Sequence, residues 1–121
     1  MDDKKLLMLA AKAAGVVFTW DGWADAPMVL TEDGTDTRTW NPLADDGDAL
    51  RLAVQLQMVI YNDHVMSGQV FVSVGEETFD PVFTGSDDGK PVDTDGVIPS
   101  DYVNTRRAIV QAAAEIGRAM P

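Results

Sequence analysis

Residues 40–54 read WNPLADDGDALRLAV. This stretch decides the fold class, because β-type sequence runs up to it and a helical period begins inside it. Asn41-Pro42 breaks the extended run. Asp45, Asp46 and Asp48 follow, directly before an apolar segment. Three roles compete for them: metal binding, acid–base chemistry and helix initiation. A helix N-terminus offers unpaired N–H groups and the positive end of a dipole, so acids are stabilised there by about 0.3–1 kcal/mol each. A calcium loop needs a bidentate acid at its last position. Windows of that type starting at Asp45 or Asp46 end at Leu56 or Gln57, which cannot close the site. The aspartates are therefore expected to start a helix, with Asp45 or Asp46 as its N-cap. At about 100° per residue, Ala49, Leu52, Ala53 and Leu56 share one face. Leu50 and Val54 widen it to roughly 200° of arc, so this helix is expected to touch neighbours on more than one side.

Toward the N-terminus the chain reads as helix, then strands. Asp2 or Asp3 can cap a helix over residues 3–14, with Leu6, Leu9, Ala10 and Ala13 as its stripe and Lys5 and Lys12 opposite. Gly15 is placed to end it in the left-handed conformation. The two leading aspartates and the interruption at Lys12 make this a helix rather than a signal peptide. VVFTW (16–20) is a buried strand by its β-branched and aromatic content, and Asp21-Gly22 is a turn. APMVLT (26–31) is a short second strand, and EDGTDTRT (32–39) a loop or weak hairpin.

Toward the C-terminus, MVIY (58–61) is a strand and NDHVMSG (62–68) a turn. QVFVSV (69–74) alternates cleanly, with Val70, Val72 and Val74 on one face. TFDPVFT (78–84) returns beside it. Pro81 lacks an N–H, so this must be an edge strand or a bulged one. GSDDGKPVDTDG (85–96) is a long mobile loop by composition. The last helix starts near Ser100 and runs to about Ala119. Its stripe is Tyr102, Ile109, Ala113, Ile116 and Met120, opposite Asn104, Arg107, Gln111, Glu115 and Arg118. Arg106 sits at the stripe's edge, where it can either reach an acid of the middle segment or simply snorkel. The expected architecture is α+β in a single domain over residues 1–121: three helices on a small antiparallel sheet, in the order α-β-(β)-α-β-β-β-α, with an acidic loop at about 85–98.

The chain of 121 residues carries a net charge of −11 and no cysteine. Disulfides, thiolate metal sites and cysteine nucleophiles are excluded, and a reducing compartment suits it. Residues 1–30 sum to −1 and 101–121 to +1, so 31–100 hold the whole surplus of −11. That field disfavours direct nucleic-acid binding and anionic membranes, and favours basic partners or cations, or serves solubility alone. No segment approaches the roughly 20 apolar residues of a membrane span.

Chemistry finds little support. His64 is the one histidine, and its setting beside Asp63 reads as a surface turn. No nucleophile elbow, P-loop or dinucleotide fingerprint is present. DTDG (93–96) matches part of a calcium loop, but Pro91 and Tyr102 fall at its two ligating ends. No catalytic residue, metal ligand or cofactor is assigned. Trp20 and Trp40 are expected in the core. Trp23 is expected to be exposed, and Trp23, Asp87, Asp88, Asp93 and Asp95 form the expected protein-binding surface.

Trp40-Asn41-Pro42-Leu43 leading through Asp48-Ala49 into the middle helix, and Arg107-Ala108-Ile109 in the last, resemble small bacteriophage and prophage proteins of unknown function with phage α/β ("ABA") sandwich domains. The resemblance implies helices packed on an antiparallel sheet and a phage or prophage origin, and no established activity. The expected function is non-enzymatic: an accessory protein that binds a host or phage protein, with a basic surface, in the cytoplasm of the bacterial host. A homodimer is compatible with the wide apolar arc of the middle helix. The alternative is a divalent-cation- or small-molecule-binding protein using the 85–98 loop.

Overall fold

The computed structural model describes residues 2–21, 26–30, 35–83 and 99–121. Helix α1 spans Asp3–Ala14. Asp2 caps it, accepting the Lys5 N–H at 2.8 Å. Gly15 ends it at φ 70, and the N–H groups of Gly15 and Val16 turn back to the Lys12 and Ala11 carbonyls. The buried face is Leu6, Leu7, Ala10, Ala11 and Ala14. It is rotated from the expected stripe, leaving Leu9 only partly buried. The cause is the closeness of the last helix, which admits alanines at the centre of the contact better than leucine.

Strands β1 (Thr19–Asp21), β2 (Ala26–Leu30) and β3 (Thr37–Thr39) form an antiparallel meander in which Trp20 faces Pro27 and Val29 faces Arg38. The expected strand at 16–20 begins only at Thr19, and Val17 is 90% exposed. The weak-hairpin reading of 32–39 resolves into strand at its end. Trp40 continues the ladder, donating its N–H to the Pro27 carbonyl at 2.8 Å, and its side chain is buried as expected. Trp20 is only half-buried, because it sits on the outer strand with the Lys4 ammonium 4.7 Å from its ring centroid.

Asn41-Pro42 opens the turn that leads into α2 (Asp46–Gln55). Asp45 is the N-cap, and its Oδ2 accepts the Asp48 N–H at 2.8 Å. Asp46 reaches the Arg106 guanidinium at 2.5 Å, while Arg106 Nε donates to the Leu43 carbonyl at 2.9 Å. Asp48 does something else. Its side chain is buried, its Oδ1 accepts from Arg38 at 2.8 Å and Arg51 at 3.1 Å, and its Oδ2 accepts the Asn41 N–H at 2.9 Å. A buried carboxylate is tolerable only when paired and hydrogen-bonded. Here three donors from β3, the turn and α2 meet that condition.

The apolar arc of α2 is narrower than its sequence. Ala49, Leu52 and Ala53 are buried, but Leu50 is 62% and Val54 68% exposed. This helix meets neighbours on more than one side, the last helix and β3, but through a narrower apolar face than expected. The Leu56-Gln57 turn ends it, with Gln57 at φ 55 and the Met58 N–H on the Ala53 carbonyl. That geometry is the one glycine ends helices with. Gln57→Gly is expected to raise stability by about 1 kcal/mol, the cost of a side chain in the left-handed region, visible as a higher urea midpoint at unchanged slope.

Strands β4 (Val59–Asp63) and β5 (Gln69–Val74) pair antiparallel, joined by the short helix α3 (His64–Ser67). The return passes through β6 (Glu77–Thr78) and β7 (Val82–Phe83), both paired with β5. Between them Phe79, Asp80 and Pro81 stand opposite only Phe71 and Val72. This is the bulge the proline requires. Val70 and Val72 are fully buried against the last helix, α4 (Pro99–Ala119).

Helix α4 is the element that buries more than one side. Ala108, Ile109, Val110, Ala112, Ala113 and Ala114 are all at most 4% exposed. The expected stripe was too narrow, and its ends, Tyr102 and Met120, lie 57% and 40% exposed. Pairs Asp3–Arg107 and Lys12–Met120 show that α1 runs parallel to α4. The fold is α+β, with two antiparallel sheets: α4 backs the sheet of β4–β7, and α1 lies against β2 of the other.

Candidate functional site

The short turn 56–58 lets α2 and β4 diverge, and the N-terminal half of α4 closes the gap from below. The result is an open cleft of about 480 Å³. Its walls are mainly apolar: Leu50 from α2, Ile60 from β4, Tyr102 and Ile109 from α4. Alternation explains the β4 contribution. Ile60 pairs with Val72 and lies on its face, whereas Tyr61 points the other way and stacks on Phe71 at 4.5 Å.

Strand β4 is an edge: among the described residues its only partner is β5. In an antiparallel pair every second residue turns its N–H and C=O outward. The cleft thus lies beside a strand that has no second strand partner among the described residues.

The floor carries the polar cluster that sequence reasoning missed. His64 is buried, not a surface turn residue, because α3 tucks it onto α4. Its Nε2 lies 2.8 Å from Thr105 Oγ1, and its Nδ1 lies 3.5 Å from the Asp101 carboxylate. Thr105 donates to the Asp101 carbonyl at 2.8 Å. The acid, imidazole and hydroxyl are ordered as in a nucleophilic triad, and the Thr105 hydroxyl also has Asn62 Oδ1 within 3.4 Å. The cluster braces α3 against α4. The separation of 64 from 105 hides it from the sequence; the one available signal was a lone histidine next to a strand rich in β-branched residues.

Trp23, Asp87, Asp88, Asp93 and Asp95, the residues expected to bind a partner, lie outside the described residues, as do the 85–98 loop and its DTDG fragment. Among the described residues no three His, Asp or Glu side chains converge as a metal site, and no helix is long and apolar enough to cross a membrane. No family model, curated protein or solved structure matches the chain.

Proposed function

We propose that this protein acts by binding rather than by chemistry, and that the α2–β4–α4 cleft takes an extended segment of a partner protein. The observation that carries this reading is the edge strand β4 lying beside an apolar cleft with Leu50 and Tyr102 exposed on its rim. A strand added to a free edge gains main-chain hydrogen bonds, and pockets beside it select alternate side chains. The net charge of −11 favours a segment with basic residues flanking its apolar ones. The Trp40–Leu43 and Arg107–Ile109 resemblance supports a bacteriophage or prophage origin, with the partner a host or phage protein met in the host cytoplasm.

Affinity selection from a random peptide library tests this. Enriched sequences are expected to alternate apolar and other residues, with Lys or Arg at the flanks. Leu50→Asp is expected to weaken their capture about tenfold or more, as for a central contact, while changing stability by less than about 0.5 kcal/mol because Leu50 is mostly in water. Failure to enrich any peptide, or binding indifferent to Leu50→Asp and Tyr102→Asp, defeats the reading. Light scattering on the same samples separates self-association, in which a second copy fills the cleft.

A further inference from the structure

A second cavity, of about 680 Å³, lies on the other side of α2, between that helix, the 14–19 segment and the β1–β2–β3 sheet. It is separate from the α2–β4–α4 cleft, shares none of its lining residues and does not depend on the function proposed for it. Its depth is hydrocarbon and aromatic: Val16, Phe18, Met28, Val29, Trp40 and Leu52. Val29, Trp40 and Leu52 are rigidly held core residues, at most 8% exposed. The volume falls within the roughly 300–1,000 Å³ of sites for drug-sized ligands.

Two guanidiniums, Arg38 and Arg51, belong to the lining. Both reach the same oxygen, Asp48 Oδ1, and both do so through Nη1. Asp48 is buried behind them, whereas the Arg38 and Arg51 side chains are 40% and 61% exposed. Two cations share one carboxylate, so the three groups sum to +1 in a chain whose net charge is −11. Both side chains stay partly exposed, and Asp48 is the one acid paired with them among the described residues. A planar pair of N–H donors is the group that best matches a carboxylate or phosphate. The fixed Asp48 anchor removes part of the rotamer entropy that a free arginine would lose on binding.

We infer that this cavity is a binding site for a small amphipathic anion, an alkyl or aryl chain ending in one carboxylate or phosphate, with the chain against Phe18, Met28 and Trp40 and the head on Arg38 and Arg51. Cationic amphiphiles of the same length lack the head contact and are repelled at the rim.

The full chain, titrated with decanoate, decyl phosphate, decanol and decyltrimethylammonium below their micelle concentrations, tests the inference by calorimetry and by methyl NMR. Decanoate and decyl phosphate are expected to bind and to shift the Val16, Met28 and Val29 methyl signals. Decanol is expected to bind about tenfold more weakly, and the ammonium not measurably. Arg51→Gln, which leaves Asp48 its Arg38 partner, is expected to bring decanoate down to the level of decanol and leave decanol unchanged. No binding of either anion, equal binding of all four probes, or shifts confined to Ile60 and Ile109 in the other cleft would each overturn the proposal.

Discussion

Gly117→Ala is expected to be the most damaging small substitution in the chain. On an exposed helix the change would stabilise by about 1 kcal/mol, the propensity difference between the residues. Here the sign reverses. A Cβ at Gly117 would stand 2.0 Å from the Leu9 carbonyl oxygen and 2.8 Å from its carbon. Those are backbone atoms of α1, so no rotamer change relieves the contact. The parallel helices α1 and α4 must move apart, and the separation is felt along the alanine seam of Ala10, Ala11, Ala113 and Ala114, all essentially inaccessible to water. Overpacking of a tight interior costs about 1–3 kcal/mol and sometimes more. With the lost seam contacts, a net destabilisation of about 3 kcal/mol or more is expected, a large share of the roughly 5–15 kcal/mol available to a domain. Urea denaturation followed by tryptophan fluorescence measures it. A variant as stable as the parent would show that α1 does not dock at this distance. Gly117→Ser should be at least as harmful.

Asp48→Ala is the second large effect. The substitution removes the acceptor of two guanidiniums and of the Asn41 N–H. Hydrogen bonds to charged groups contribute about 1.5–3 kcal/mol each when lost. Arg38 and Arg51 are partly exposed and can return to water, which discounts their share. The Asn41 N–H lies in the part-buried turn and loses its partner. Together these give a destabilisation of about 2–4 kcal/mol. Asp48→Asn keeps the shape and part of the acceptor set, so it should cost less than alanine. Asp46→Ala provides the contrast: its carboxylate is 71% exposed, and its loss should cost no more than about 1 kcal/mol. Equal effects at 46 and 48 would refute the assignment of Asp48 as the buried tie between β3 and α2.

The contrast between those two aspartates marks how far local sequence carries. Asp45 and Asp46 occupy a cap and a first helical turn, and those roles follow from the Pro42 break and the apolar period after it. So does the glycine end of α1, since Gly15 is the residue that tolerates the left-handed conformation. Gln57 adopts the same conformation at the end of α2, but nothing in its identity announces it; the turn into β4 imposes it. The Pro81 bulge was legible because a missing N–H restricts a strand wherever it lies. The α2–β4–α4 cleft was not legible, because Leu50, Ile60 and Tyr102 come from three segments, and apolar residues at helical spacing look alike whether buried or not.

The α+β class, the three long helices, the alternation of β5 and the capping acids were determined by the sequence alone, because each rests on interactions within one turn or one strand pair. Which face of each helix is buried, the parallel docking of α1 on α4, the burial of His64 and Asp48, and the two cavities flanking α2 were decided only in the tertiary structure. The physical reason is distance along the chain. Leu9 meets Gly117, and His64 meets Thr105, through packing that no local period encodes.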